Sequence, residues 1–90
     1  FSDDINWVKN NFSNKNFFFI NSTFDQLKMP LKDLFLMKSC NHNIIANSTF
    51  SWWGAWLNEN LNKIVCVPKY WTFGVKSSET DLIPSNWNIL

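Results

Sequence analysis

The chain contains no arginine. Its eight basic residues are all lysines, set against seven acidic ones, for a formal net charge of +1 at pH 7. Scattered lysines with no basic stripe create no field that would draw nucleic acid or an anionic membrane surface, so neither is an expected partner. Any anion site must be local, or be completed by guanidinium groups outside these residues. There is no CxxC and no Cys/His cluster: Cys40 and Cys66 stand apart, at a predicted helix end and in a predicted strand. They read as buried free thiols, and no metal or other cofactor is expected. No apolar run approaches the length of a membrane-spanning helix, so no transmembrane segment is expected. Internal repeats and low-complexity stretches are also missing, apart from a general abundance of Asn, Lys and Phe. No signal peptide opens the chain. The expected compartment is the cytoplasm, with membrane association left to a full-length protein. Asn-Xaa-Ser/Thr occurs at Asn11, Asn21 and Asn47, which would matter only in a secreted eukaryotic protein.

What is present is 46% hydrophobic and 18% aromatic, with six Trp and nine Phe. That is too apolar for disorder and fits a globular chain. Ninety residues hold at most one small domain with a modest core. Phe1-Ser2-Asp3-Asp4 reads as the last residue of a strand followed by a helix cap. The expectation is therefore a single partial domain over residues 1–90, a fragment of something longer.

Asp3 or Asp4 can cap a helix running to about Phe12, with Ile5, Val8 and Phe12 on one face. Phe17-Phe18-Phe19-Ile20 is a continuous apolar run of strand length, of the kind buried in a parallel sheet. Residues 21–30 read as a loop. Leu31, Leu34, Phe35 and Lys38 trace one face of a helix from Leu31 to about Cys40, expected to be mostly buried. Ile44, Ile45 and Ala46 predict a buried strand, Asn47 to Ser51 supply cap-forming groups, and Trp52 to Leu57 predicts the next helix. Lys63 to Val67, closed by Pro68, predicts a further strand. Lys69 to Leu90 reads as irregular structure ending in a short strand or a docked tail. The order helix, strand, helix, strand, helix, strand gives half of a doubly wound α/β sheet, a Rossmann-like half-domain with parallel strands. Ligands of such sheets bind at the carboxyl ends of strands, where the turn after Ala46 lies. A helix start there offers unpaired N–H groups and the positive end of the helix dipole to a phosphate or diphosphate.

Five segments then carry a likeness: Phe1-Ser2-Asp3-Asp4, Asp33 to Met37, His42 to Leu57, Val67-Pro68-Lys69, and Asp81 to Trp87. Together, in this order and spacing, they resemble the carboxyl-terminal part of the α-1,2-fucosyltransferases of the bacterial and invertebrate type, glycosyltransferase family 11. The Asn47-Ser48-Thr49-Phe50-Ser51-Trp52-Trp53-Gly54-Ala55 run is long and compositionally rare, and carries most of the weight. The resemblance implies a GT-B enzyme whose carboxyl-terminal Rossmann-like domain holds GDP-fucose and passes fucose, with inversion, to galactose of a glycan acceptor. By analogy with the α-1,6- and protein O-fucosyltransferases it implies that Asn47, Ser48, Thr49, Phe50 and Ser51 lie along the diphosphate. The same analogy makes Asp33 the guanine reader and sets Asp3 and Asp4 near the nucleotide. The family's His-Xaa-Arg-Arg motif, which supplies the cation facing the leaving diphosphate, has no counterpart here. The amino-terminal domain is expected upstream of Phe1, and the 90-residue chain alone is expected to be inactive.

Each of these residues also has a plainer role. Ser48 and Thr49 are common helix caps, and Asp33 can simply decorate a helix start. Trp52 and Trp56, like Trp53 and Leu57, are one helical turn apart and suit core packing, with Gly54 and Ala55 allowing close approach to the sheet. His42, heading a strand, reads as structural. Lys69 follows a strand end and could reach a phosphate, although a solvated lysine is commoner. No residue presents itself as the catalytic base. Two rival functions stand beside the transferase: a non-catalytic carbohydrate-binding or interaction module, suggested by the tryptophans, and a related transferase using another nucleotide sugar.

Overall fold

The computed structural model describes residues 1–20 and 30–90, which divide into two compact units, Phe1–Asp33 and Leu34–Leu90. In the first, helix α1 spans Ile5–Asn11. Its N-cap is Asp4, whose carboxylate accepts the Trp7 N–H at 3.0 Å, as the Asp-before-helix pattern predicts. The helix stops where the Phe12 backbone leaves the helical region while its N–H still reaches the Val8 carbonyl at 2.8 Å.

The predicted strand at Phe17–Ile20 does not form: a turn at Asn14–Asn16 leads into coil, and Phe18 is 90% exposed. A strand exists only by pairing, and among the described residues no strand pairs with this run. Phe17 instead packs edge-on against Phe12, which in turn meets Trp7. The loop predicted for residues 21–30 falls, except for Pro30, outside the described residues.

Helix α2 spans Pro30–Lys38, with Pro at the first position, where its missing N–H costs nothing. Contrary to expectation it buries no residue, and Leu31 and Phe35 are mostly exposed. Its half-buried stripe runs through Leu34 and Met37 instead, because Met37 is the side chain set against Gly54 of the following helix.

The second unit is built on a parallel sheet of strands β1 (Asn43–Ile44), β2 (Val65–Val67) and β5 (Asn88–Ile89), in the order β1-β2-β5. The α/β class with parallel strands is thus observed. Strand β1 is shorter than predicted and begins one residue earlier. Ile45 extends the pairing through its N–H to the Cys66 carbonyl at 2.9 Å, but Ile44 is 82% exposed and Ala46 is exposed too. Alternation explains this: Ile45, Val65 and Val67 face the core, while Ile44 points to the other face of the sheet. Helix α3, Thr49–Trp56, covers the inner face through Ala55. Trp71 and Trp87 complete the core, with Trp52 and Ile83 packed against it.

Between β2 and β5 the chain is more regular than its composition suggested. Strands β3 (Tyr70–Thr72) and β4 (Val75–Lys76) form an antiparallel hairpin, turned at Gly74 with φ 77°. Ser77 follows, opening a 3-10 turn at Ser77–Glu79. It is buried at the hairpin base, donating its hydroxyl to the Pro68 carbonyl at 2.6 Å and its N–H to the Lys69 carbonyl at 2.9 Å. The expected strand-like tail is β5. Among the described residues no helix is long and apolar enough to cross a membrane.

Candidate functional site

The turn from β1 into α3 leaves the carboxyl end of the sheet and gathers Asn47, Ser48, Thr49, Phe50 and Ser51. Ser48 is the N-cap, in extended conformation, and its carbonyl accepts the first helical bond from Trp52 N–H at 2.9 Å. Its hydroxyl accepts the Ser51 N–H only at 3.5 Å, the outer limit of a hydrogen bond. The side chain therefore caps the helix loosely and keeps lone pairs and a proton for another partner. Helix geometry leaves the Thr49 and Phe50 N–H groups without intrahelical acceptors, at the positive end of the dipole. Asn47, Thr49 and Phe50 are exposed and Ser48 is half-buried, so the turn is open to a ligand.

Ser51 differs from its neighbours. Its hydroxyl points back to the backbone, 3.1 Å from the Ala46 carbonyl and 3.0 Å from that of Ser48. It braces the turn rather than lining it.

The acidic candidates belong to the first unit. Asp4 is committed to the α1 cap, Asp3 is exposed beside it, and Asp33 lies half-buried in the first turn of α2.

The tryptophans divide in two. Trp52 donates its indole N–H to the Leu82 carbonyl at 2.8 Å and touches Trp87, tying α3 to the segment before β5. Trp56 stacks on Trp52 with centroids 5.1 Å apart, and Trp53 meets the same ring edge-on. Trp53 and Trp56 nevertheless remain about half exposed, so core packing describes Trp52 and not these two. Gly54 gives close approach not to the sheet but to α2, where an added Cβ would lie 2.8 Å from Met37 Cβ. His42 is structural, its Nδ1 accepting the Ile64 N–H at 3.0 Å. Cys66 is half-buried, but Cys40 is exposed, contrary to the expectation of two buried thiols, because it follows α2 rather than lying within it.

Sequence reasoning passed over the other end of α3. There the Lys63 ammonium donates to the carbonyls of Ala55 (2.8 Å), Trp56 (3.3 Å) and Asn58 (2.6 Å). The buried Asn58 amide donates to the Cys40 carbonyl (2.7 Å) and to Asn43 Oδ1 (2.8 Å), Asn43 donates to the Met37 carbonyl (2.9 Å), and Asn60 donates to that of Asn41 (2.8 Å). This asparagine ladder locks the end of α2, the start of β1 and the end of α3 together. A basic residue soon after a helix end was the available signal for Lys63. Nothing local marks Asn58 as buried. A cleft of about 320 Å³ lies at this end too, beside Cys40, Asn58 and Asn60, away from the Ser48 turn.

The chain is 43% identical over 88 residues to the O-antigen biosynthesis glycosyltransferase WbnK of Escherichia coli, a match covering 97% of this chain and 28% of that protein. It is 38% identical over 90 residues to an alpha-1,2-colitosyltransferase, also of Escherichia coli, covering 97% of this chain and 30% of that one. It thus spans less than a third of the length of these relatives. No solved structure matches it. All of residues 1–90 match the profile of glycosyl transferase family 11, and the chain belongs to that family.

Proposed function

We propose that this chain is the donor-binding part of an inverting α-1,2-fucosyltransferase of GT-B architecture, moving fucose from GDP-fucose to a galactose-containing glycan. The amino-terminal domain of the same protein would supply the rest of the site. The observation that carries this reading is the loosely capped start of α3 at the carboxyl end of β1, in a chain of this family. In the transfer, the bond from the anomeric carbon to the diphosphate oxygen breaks while the acceptor hydroxyl oxygen bonds to that carbon from the opposite face. The hydroxyl proton passes to a base that this chain does not identify. Negative charge grows on the departing GDP. The Thr49 and Phe50 N–H groups, the Ser48 and Thr49 hydroxyls and the Asn47 amide are the groups here suited to meet it, with no metal required. Ser51 serves by holding the turn. The Asp33 carboxylate has the acceptors to take both hydrogens of the guanine N1–H and N2–H edge, and Asp3 and Asp4 are the further residues this reading assigns to the nucleotide.

The test uses the full-length protein. GDP should raise its melting temperature more than UDP does, and Ser48→Ala with Thr49→Ala should erase most of that rise. Equal protection by both nucleotides, or none, refutes the reading. The colitosyltransferase relative favours a second reading, in which the same site takes a different activated deoxy sugar. Product analysis with GDP-fucose as the only donor separates the two.

A further inference from the structure

Four lysines lie in the second unit: Lys38, Lys63, Lys69 and Lys76. Lys38 closes α2, its ammonium over the Phe35 ring, and Lys63 is spent on the carboxyl end of α3. Lys76 is 3.8 Å from the Glu79 carboxylate. Lys69 is placed differently. It follows Pro68 at the carboxyl end of β2, the central strand. The β1–β2 register pairs Ile44 with Cys66, and the Ile45 N–H reaches the Cys66 carbonyl, so the two parallel neighbours end their pairing together at their carboxyl ends. Neighbouring strands run about 4.8 Å apart. Lys69 and the Ser48 turn therefore leave the sheet side by side at the same end.

The backbone at Lys69 is fixed from behind by buried Ser77, which holds both the Pro68 and the Lys69 carbonyls. Its side chain is exposed, and its ammonium rests 5.7 Å from the centre of the Tyr70 ring, with no carboxylate partner among the described residues. A cation held by a ring face at an exposed site is weakly retained and moves readily to an anion that offers charge and hydrogen-bond acceptors.

We propose that Lys69 is a phosphate-contacting residue of the nucleotide-sugar site, its ammonium leaving the Tyr70 ring to bind the diphosphate from the β2 side as the Ser48 turn binds it from the β1 side. In a chain without arginine it is, among the lysines of the second unit, the one at the ligand end of the sheet. The inference rests on the donor-binding reading given above.

The experiment titrates the full-length protein with GDP and, separately, with guanosine, by calorimetry. Lys69→Met should weaken GDP binding about tenfold, the scale of one lost charged hydrogen bond, and leave guanosine binding unchanged. Lys69→Arg should restore most of the GDP affinity, and Lys69→Gln should behave like Lys69→Met. A loss of guanosine and GDP affinity together would show a merely structural effect and overturn the proposal. Unchanged GDP affinity in Lys69→Met, with GDP protection lost in the Ser48→Ala, Thr49→Ala variant, would overturn it while leaving the donor site in place. If neither variant alters GDP binding, the donor reading fails and the role of Lys69 fails with it.

Discussion

The ammonium of Lys63 lies 2.8 Å from the carbonyl oxygen of Ala55, eight residues earlier, and caps α3 from outside the helix. Ala55 is fully buried in the core, so this single side chain satisfies carbonyls at the end of a helix whose other end carries the candidate donor site. Lys63→Met keeps the apolar stem and removes three donated bonds. It should lower unfolding stability by about 1–3 kcal/mol, measured by denaturant titration of the full-length protein. An unchanged midpoint would mean that water replaces the ammonium without loss.

Gly54 sets the contact between α2 and α3. Alanine is the better helix former by about 1 kcal/mol, yet its Cβ would stand 2.8 Å from Met37 Cβ, an atom that cannot swing aside. Overpacking should win, and Gly54→Ala should be destabilising by about 1–3 kcal/mol. Met37→Ala keeps the offending Cβ and should not rescue it. Thermal melts of the two single variants and the double variant decide this, and full rescue would place the clash further out, at the sulfur.

Ser48 and Ser51, three residues apart, should separate in their effects. Ser48→Ala removes a hydroxyl that the fold holds only loosely, so GDP protection should fall with little change in the unliganded melting temperature. Ser51→Ala removes the brace to the Ala46 carbonyl and should cost about 0.5–1.5 kcal/mol of stability before any ligand is added. The opposite pattern would exchange the two roles.

Asn58 joins two segments through one amide. Asn58→Asp replaces its donors with an acceptor facing the Cys40 carbonyl and Asn43 Oδ1, so it should destabilise more than Asn58→Ala, whose cost is about 1–3 kcal/mol. Comparing the two midpoints at neutral pH tests this, and a milder Asp variant would mean that the ladder tolerates like dipoles.

The two thiols should react at different rates. Cys40 is exposed and Cys66 is half-buried in the central strand. Limiting iodoacetamide followed by peptide mass mapping should find Cys40 labelled first, and equal labelling would mean that β2 opens readily.

Much of this was legible in the residues. A cap at Asp3 or Asp4, a helix from Leu31 to about Cys40 that is observed as Pro30–Lys38, the Ser48 turn into α3, and a strand over Lys63 to Val67 that is observed as Val65–Val67 all follow from local chemistry that tertiary context did not override. Phe17–Ile20 shows where such reading stops, since an apolar run specifies a strand only when another strand is there to pair with it. The Tyr70–Lys76 hairpin had a signal, a glycine between two short runs of strand-forming residues, but the Ser and Pro around it blurred the pattern. In the candidate site the cap positions were readable from side-chain type. The inward turn of the Ser51 hydroxyl was not, because it depends on where the Ala46 carbonyl ends up. The exposure of Trp53 and Trp56 was equally hidden, since helical spacing says which residues share a face and not what covers that face.

The ladder of Asn43, Asn58 and Asn60 is built only from neutral amides. An amide neither gains nor loses a proton across the range in which carboxylates and imidazoles titrate, and it attracts no counterions. The amide joint that fixes the far end of α3 should therefore keep its geometry in strong salt, leaving the Lys63 cap as a salt-sensitive contact at that end. A rise in salt that loosens the far end of α3 would then be acting through the Lys63 ammonium and not through the amides.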